Sequence, residues 1–328
     1  MAWKFIDVSC TDAAWNLALE QYVFDCLPKE HNYFMLWQNA RAVIIGRHQN
    51  TLKEINESYV NGHGVQVIRR LSGGGAVYHD MGNLNFTFIQ DAVSPRLDLS
   101  LFCKPVAEAL QTLGAHAEVN GRNDITLEGK KISGNAQYVK NGRIMHHGTL
   151  LFDADLEAAT MALTPNAEKI LSKGVASVRS RMTTLKEHLP AGISLQEFKQ
   201  TFLQRLFAGQ DMERYELTDA DIAAVDALKQ VCYGTREWNY GAEPPCDLLC
   251  KGRIEGCGTV ELHLRLREGK IASAAFHGDF FGEPAELASC FVGHYPNAEG
   301  YREALSHVDV SQYLKNCNNE QLLSLLLS

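Results

Sequence analysis

The stretch RRLSGGGAVYHD, residues 69 to 80, leads from two arginines through three consecutive glycines into a β-type run. Lacking Cβ, such a run lets backbone N–H groups approach a ligand and adopt positive φ. Ser72-Gly73-Gly74-Gly75 could cradle a carboxylate, a phosphate or a thin alkyl chain, and a plain flexible turn would use the same residues. A Walker loop is excluded because G-x-x-x-x-G-K-[ST] occurs nowhere. The dinucleotide fingerprint fails too, because these glycines open no helix. Of two adjacent arginines at a strand end, one must face the core side, which calls for an anion near Arg70. His79, Asp80 and Asn83 add polar groups to the same rim, or cap a turn there.

A second group of polar residues is brought together by turn geometry. Glu128-Gly129 and Asn141-Gly142 are two-residue hairpin signals. They predict that Lys130 faces Leu127, Ser133 faces Asp124, Arg143 faces Lys140 and His147 faces Ala136. Asp124, Lys131 and His147 then converge across neighbouring strands as a possible site; three polar residues on a wet sheet face is the plain alternative.

The elements that must position these groups follow from periodicity and punctuation. A helix is expected over Asp12 to Leu27, capped by Thr11. The runs 33–37, 42–45, 65–69, 76–78 and 84–89 read as strands of one mixed sheet, covered by a helix over Leu99 to Leu113. Residues 171–185 carry three basic groups and little periodicity, as a mobile basic loop would. Helices follow near Leu195 to Ala208 and Asp219 to Val231, and Pro244-Pro245 marks a boundary. Alternation in VELHLRL and three amphipathic helical stretches then make a small unit. The expected fold class is α+β: a large domain over 1–243 with a mixed, mostly antiparallel sheet flanked by helices, and a small α+β C-terminal domain over 246–328.

Composition narrows the function classes. The 328 residues are 45% hydrophobic and 21% charged, ordinary for a packed globular protein. With 31 Lys+Arg against 39 Asp+Glu the net charge is -8, which disfavours a nucleic-acid partner. No signal peptide and no apolar run of about 18 residues is present, so a cytoplasmic chain with no membrane partner is expected. Nine scattered cysteines suit reduced thiols, and the spacing of Cys246, Cys250 and Cys257 matches no common zinc signature, so no zinc is expected.

Several linked blocks carry a family resemblance. RRLSGGGAVYHDMGNLNFTF, GRND followed by KISGNA, HHGTLL and SKGVASVRSR, in this order, closely resemble the lipoate–protein ligases of the lipoyl/biotin ligase superfamily. LWQNARAVIIGRHQNT resembles the family's early strand pair, and the tail from Trp238 to Gly282, ending in GDFFG, looks like its accessory C-terminal domain. The resemblance implies activation of lipoate by Mg-ATP to lipoyl-adenylate and pyrophosphate. The lipoyl group then passes to a lysine of apo lipoyl domains, on 2-oxoacid dehydrogenase E2 subunits and the glycine-cleavage H protein. A monomer and no tightly bound cofactor are expected.

Carried over by position, the family's lysine falls on Lys131. Arg70, Gly75, Ala76, Val77, Tyr78, Asn83, Asp124 and Lys131 match the ATP and adenylate contacts, with Asp124 also a magnesium contact. Trp37, Arg70, Ser72, Gly73, Gly74, Gly75, His79, Lys131 and His147 match the lipoate site, whose tunnel the glycine loop lines. The segment from Lys173 to Arg181 resembles one that orders over the adenylate. Where some members place an arginine shortly after the lysine motif, this chain reads Asn135-Ala136-Gln137-Tyr138, so no phosphate contact is assigned there.

Three rivals remain. An ATP-independent octanoyl or lipoyl transferase needs a thiol at the acyl carboxyl, and no cysteine falls between Cys103 and Cys232. Biotin ligation calls for an arginine-rich glycine loop, and SGGGAV holds no arginine. A non-catalytic relative would not be expected to keep Lys131 with the whole motif set. Sequence leaves the choice between lipoate and octanoate open.

Overall fold

The computed structural model describes residues 2–92, 97–120, 123–163, 180–241 and 246–328. Its strands are β1 (Trp3–Asp7), β2 (Asn32–Trp37), β3 (Ala42–Ile45), β4 (Gln66–Arg69), β5 (Val77–His79), β6 (Asn83–Asp91) and β7 (Ala117–Asn120). They continue as β8 (Asp124–Leu127), β9 (Lys130–Lys140), β10 (Arg143–Leu151), β11 (Met212–Arg214), β12 (Leu248–Ile254), β13 (Gly258–Arg267) and β14 (Lys270–Gly278).

Eight strands form one mixed sheet in the order β11-β1-β2-β6-β10-β9-β8-β7. The two pairings of β1 are parallel and the other five are antiparallel. Both faces are covered, so β2 reads as an unbroken apolar run rather than an alternating one. Tyr33, Met35 and Trp37 pack towards the helix Ala13–Asp25, while Phe34 and Leu36 pack towards the helices Ser100–Thr112 and Leu195–Leu206. The first helix is capped by Asp12, not Thr11: its carboxylate accepts from the amides of Ala14 and Trp15.

The short strands expected in this sheet separate from it. β3, β4 and β5 form a three-stranded sheet of their own in the order β4-β3-β5. Val43, Ile45, Val67 and Tyr78 bury against a separate cluster with the segments carrying Val60 and Ala158, which supplies a second small core. The C-terminal unit is an antiparallel meander, β12-β13-β14, with helices Ala285–Ser289, Ala298–Ala304 and Asn319–Leu326 around its own core. The expected boundary at Pro244-Pro245 and the basic segment from Lys173 to residue 179 lie outside the described residues.

The glycine loop joins these units. The Gly74 amide donates to Phe280 O at 3.0 Å, and the Gly278 amide donates to His48 O at 2.9 Å. A Cβ on Gly73 would lie 2.4 Å from Phe280 O, and one on Gly74 would lie 2.7 Å from the Phe281 ring. The side chains missing at these two positions therefore make room for the C-terminal GDFFG segment rather than for a ligand. At Gly75 a Cβ would meet nothing within 4 Å.

Gly73→Ala should therefore weaken the seating of the C-terminal unit and lower stability by roughly 1–3 kcal/mol, the usual cost of forced overpacking. Gly75→Ala should cost far less. Urea midpoints of the two variants check this; equal midpoints would show that the close approach at Gly73 does not matter.

Candidate functional site

One residue out of register decides which side chains share a face. From the Glu128-Gly129 turn, Leu127 faces Lys130 and Thr126 faces Lys131 as expected, but then Ile125 faces Ser133 and Asp124 faces Gly134. The expected Asp124–Ser133 pairing is thus displaced by a β-bulge at Ile132, which buries beside Ile125 in the core. In an unbroken strand Lys131 would point with Ser133 and away from Ala136, the partner of His147. The bulge turns Lys131 over. A Cβ on Gly134 would lie 3.0 Å from Lys131 Nζ, so the lysine lies across the bare glycine, on the face that carries His147. There Nζ pairs with Asp124 Oδ1 at 2.7 Å.

The Lys131 backbone is held from both sides. Its amide donates to Arg181 O and its carbonyl accepts from the Thr183 amide, at 2.7 and 3.1 Å. The chain leaving the basic segment thus runs alongside the lysine.

Beneath Lys131 lies a cavity of about 430 Å³. Its wall includes Trp37, Arg70, Gly74, Gly75, Ala76, Val77, His79, Asp124, Lys131 and His147 from the sequence-predicted set, so two distant motifs meet. Ser72, Gly73, Tyr78 and Asn83 are not in the wall. Strand alternation in β5 sends Tyr78 into the opposite core while Val77 and His79 face the cavity. Asn83 is buried behind the cavity, donating to Asn85 Oδ1 at 2.9 Å. Ser72 lies one shell out, its Oγ 2.6 Å from His147 Nε2.

Arg70 is not aimed at a free anion. Its guanidinium donates to the carbonyls of Ile44, Gly73 and Gly75 and to Ser72 Oγ. Burial pushes its pKa down to about 10. The compensating charge is Glu20, reached through a chain of donors. Arg70 Nε donates to Ser72 Oγ, which lies against His147 Nε2, and His147 Nδ1 is 2.9 Å from both Glu20 oxygens. From the other side Trp37 Nε1 donates to Thr87 Oγ1, which donates to Glu20 Oε1 at 2.7 Å. Arg69 binds six further acceptors, among them the carbonyls of Gly46, Gln49 and Trp238. Arg70 thus ties down the glycine loop by its own carbonyls, while Arg69 holds the neighbouring 46–51 and 238–239 segments.

The protonation of His79 follows from its neighbours. Asn16 Nδ2 lies 2.9 Å from Cys10 O, Gln38 O and Asn39 Oδ1, which orients the Asn39 amide so that its Nδ2 faces His79 Nδ1 at 3.0 Å. Nδ1 is therefore an acceptor and Nε2 carries the proton. Nε2 is buried without a partner among the described residues, on a side chain in the cavity wall. Burial, then the charges of Arg70 and His147, hold the ring's pKa down to about 3. A neutral donor thus faces whatever fills the cavity.

Sequence reasoning missed Glu20, Asn85, Thr149 and Arg253. Asn85 and Thr149 are partners across the sheet, Asn85 also faces Trp37, and both line the cavity. The polar alternation Asn83, Asn85, Thr87 within a strand buried on both faces was the available signal. Arg253 enters the wall from the C-terminal unit, with Gly256, Gly258, Asp279 and Phe281. Among the described residues no cysteine lines the cavity. Cys103 sits in the core, its thiol pushed up to about 12 by burial.

Residues 12–207 match the lipoyl protein ligase A/B catalytic domain model, and residues 243–326 match the bacterial lipoate protein ligase C-terminus model. Lipoate–protein ligase 1 of Staphylococcus aureus is 40% identical, covering 98% of this chain and 99% of the relative. A lipoate–protein ligase of Bacillus subtilis is 39% identical with the same coverage. Among solved structures, P. falciparum LipL1 in complex with lipoate superposes with a TM-score of 0.78 at 22% identity, over 98% of this chain and 97% of that one, a likeness of fold.

The depressed pKa of His79 makes the fold acid-sensitive. Its folded value of about 3 lies below the ordinary 6.5, so between these values the unfolded chain binds the extra proton and stability falls as pH falls below 6.5. His48, lowered to about 4 by burial, acts in the same direction. Lowering the pH from 6.5 to 5 should cost about 2 kcal/mol for His79 alone. His79→Gln should flatten that dependence in urea melts at the two pH values; an unchanged slope would contradict the burial argument.

Proposed function

The chain belongs to the lipoate–protein ligase family, and from that premise we propose that it activates lipoate with ATP to lipoyl-AMP and pyrophosphate, then passes the lipoyl group to a lysine of an apo lipoyl domain. The observation that carries this reading is Lys131, turned by the bulge into a cavity whose wall holds no thiol among the described residues. An acyl-thioester route needs a nucleophilic sulfur at the acyl carboxyl. Adenylation needs no enzyme nucleophile: it must bring a carboxylate and a phosphate together and stabilise the charge of the transfer.

Lys131 suits that task because an ammonium on a flexible stem can bridge carboxylate and α-phosphate oxygens. Asp124, at 2.7 Å, holds it in place until the substrates arrive. The Gly75-Ala76-Val77 backbone is the proposed adenylate contact, in a loop stiffened by Arg70. Trp37, His79 and His147 wall the acyl chain. Ser72 and Glu20 orient His147 from behind.

Among the described residues no group of three or more His, Cys, Asp or Glu is arranged to hold a metal ion. Magnesium keeps most of its ligands as phosphate and water oxygens, and Asp124, one of two carboxylates in the wall with Asp279, would hold it. The ion would neutralise charge on the phosphates.

Two domains, 1–243 and 246–328, are proposed to share the work, the first holding lipoate and ATP. Proposed acceptors are the lipoyl domains of 2-oxoacid dehydrogenase E2 subunits and the glycine-cleavage H protein. No helix among the described residues is long and apolar enough to cross a membrane, and the nine free cysteines fit a reducing cytoplasm.

Mass spectrometry of apo lipoyl domain and H protein, incubated with enzyme, Mg-ATP and either lipoate or octanoate, tests the reading. ATP-dependent addition of one acyl group is expected, and addition without ATP would revive the transferase. Lys131→Ala should lower lipoate-dependent ATP–pyrophosphate exchange by at least about 100-fold. Replacing all nine cysteines by serine should leave ligation in place in a folded protein.

A further inference from the structure

Lys131, Arg70 and Arg253 are the only lysine or arginine side chains among the described residues of the cavity wall. Adenylation makes heavy demands on such charge. A carboxylate oxygen of lipoate forms a bond to the α-phosphorus while the bond from that phosphorus to the bridging oxygen breaks. The electron pair leaves with pyrophosphate and no proton moves. Charge therefore builds on the leaving group, and a cation at that end lowers the barrier.

Two of the three cations are already engaged. Arg70 is buried and spends its donors on three carbonyls and a hydroxyl. Lys131 is paired with Asp124 and lies across Gly134 at the reacting centre. Arg253 is exposed, and its side chain has no ion pair or hydrogen bond among the described residues. Its strand explains where it points. Leu249, Lys251 and Arg253 alternate outward on β12. Lys251 pairs with Glu261, which Lys53 of the large unit also approaches at 3.4 Å. That face of the C-terminal sheet therefore lies against the large unit, and the next outward position, Arg253, reaches the cavity. Asp279, in the same wall, accepts from the Thr259 amide.

We propose that Arg253, delivered by the C-terminal sheet, binds the leaving pyrophosphate during lipoate activation. This rests on the ligase reading above. It assigns a cation to the end of the nucleotide where Asn135-Ala136-Gln137-Tyr138 offers none. An arginine suits the place because its planar fork can grip two phosphate oxygens at once. It also gives the docking of the C-terminal unit a chemical purpose: the cavity has its full set of cations only while that unit is seated.

The test separates the half-reactions. Arg253→Gln should lower lipoate-dependent ATP–pyrophosphate exchange roughly 100-fold and raise KM for ATP. Transfer from chemically prepared lipoyl-adenylate to an apo lipoyl domain should fall at least tenfold less, which also shows that the variant is folded. Arg253→Lys should recover part of the exchange. Exchange within twofold of wild type, or equal loss in both half-reactions, would overturn the assignment. Absence of exchange in the wild-type protein would instead overturn the ligase reading.

Discussion

The site depends on one residue too many in β9. Side chains of a strand alternate, so the face a residue occupies is set by its parity relative to its neighbours. With Ile132 in register, Lys131 would point into the apolar core with Ser133, while Gly134, Ala136 and His147 kept the cavity face. Placing both Ile132 and Ser133 on the core side costs a disrupted pair of ladder bonds and delivers an ammonium to the only face where it is useful. The strand is then held in that shape by Arg181 and Thr183 along its other side. Gly134 completes the device, because any side chain there would occupy the space where Lys131 lies.

The same economy governs the glycine loop. A buried guanidinium must be saturated with acceptors, and Arg70 takes them from the loop it follows. The loop is therefore shaped by its own arginine. Its remaining charge is answered at a distance by Glu20, through Ser72 and His147. That chain ends on a single carboxylate that also collects Thr87 and, behind it, Trp37. Three side chains that sequence reasoning treats as separate ligand contacts, Trp37, Ser72 and His147, belong to one buried network that positions them together.

What was legible in the sequence is what local rules determine. The hairpins fell in their expected registers nearest the turns because Glu128-Gly129 and Asn141-Gly142 each place two residues at positive φ. His147 opposite Ala136 and Arg143 opposite Lys140 followed directly. The bulge was not legible, since neither Ile132 nor Ser133 is a residue that demands one. Glu20 was hidden for a related reason: a glutamate in a helix reads as solvent-facing until a partner 127 positions away explains its burial. The separation of β3, β4 and β5 into their own sheet depends on which core each apolar run joins, a property of the assembled chain.

Arg253 shows where such reading stops in principle. Nothing in CKGRIEG distinguishes it from Lys251 two residues earlier, since both alternate outward on the same strand. Their difference lies in their surroundings. Lys251 finds Glu261 across the meander itself, where Lys53 of the large unit also approaches, and Arg253 projects past the edge of that contact into the cavity. The contact itself passes through Gly73 and Gly74, whose bare backbones admit Phe280 and Phe281. The glycine run is thus the hinge of the whole arrangement. One part of it faces the cavity, and the part beside it admits the unit that carries the last cation to that cavity.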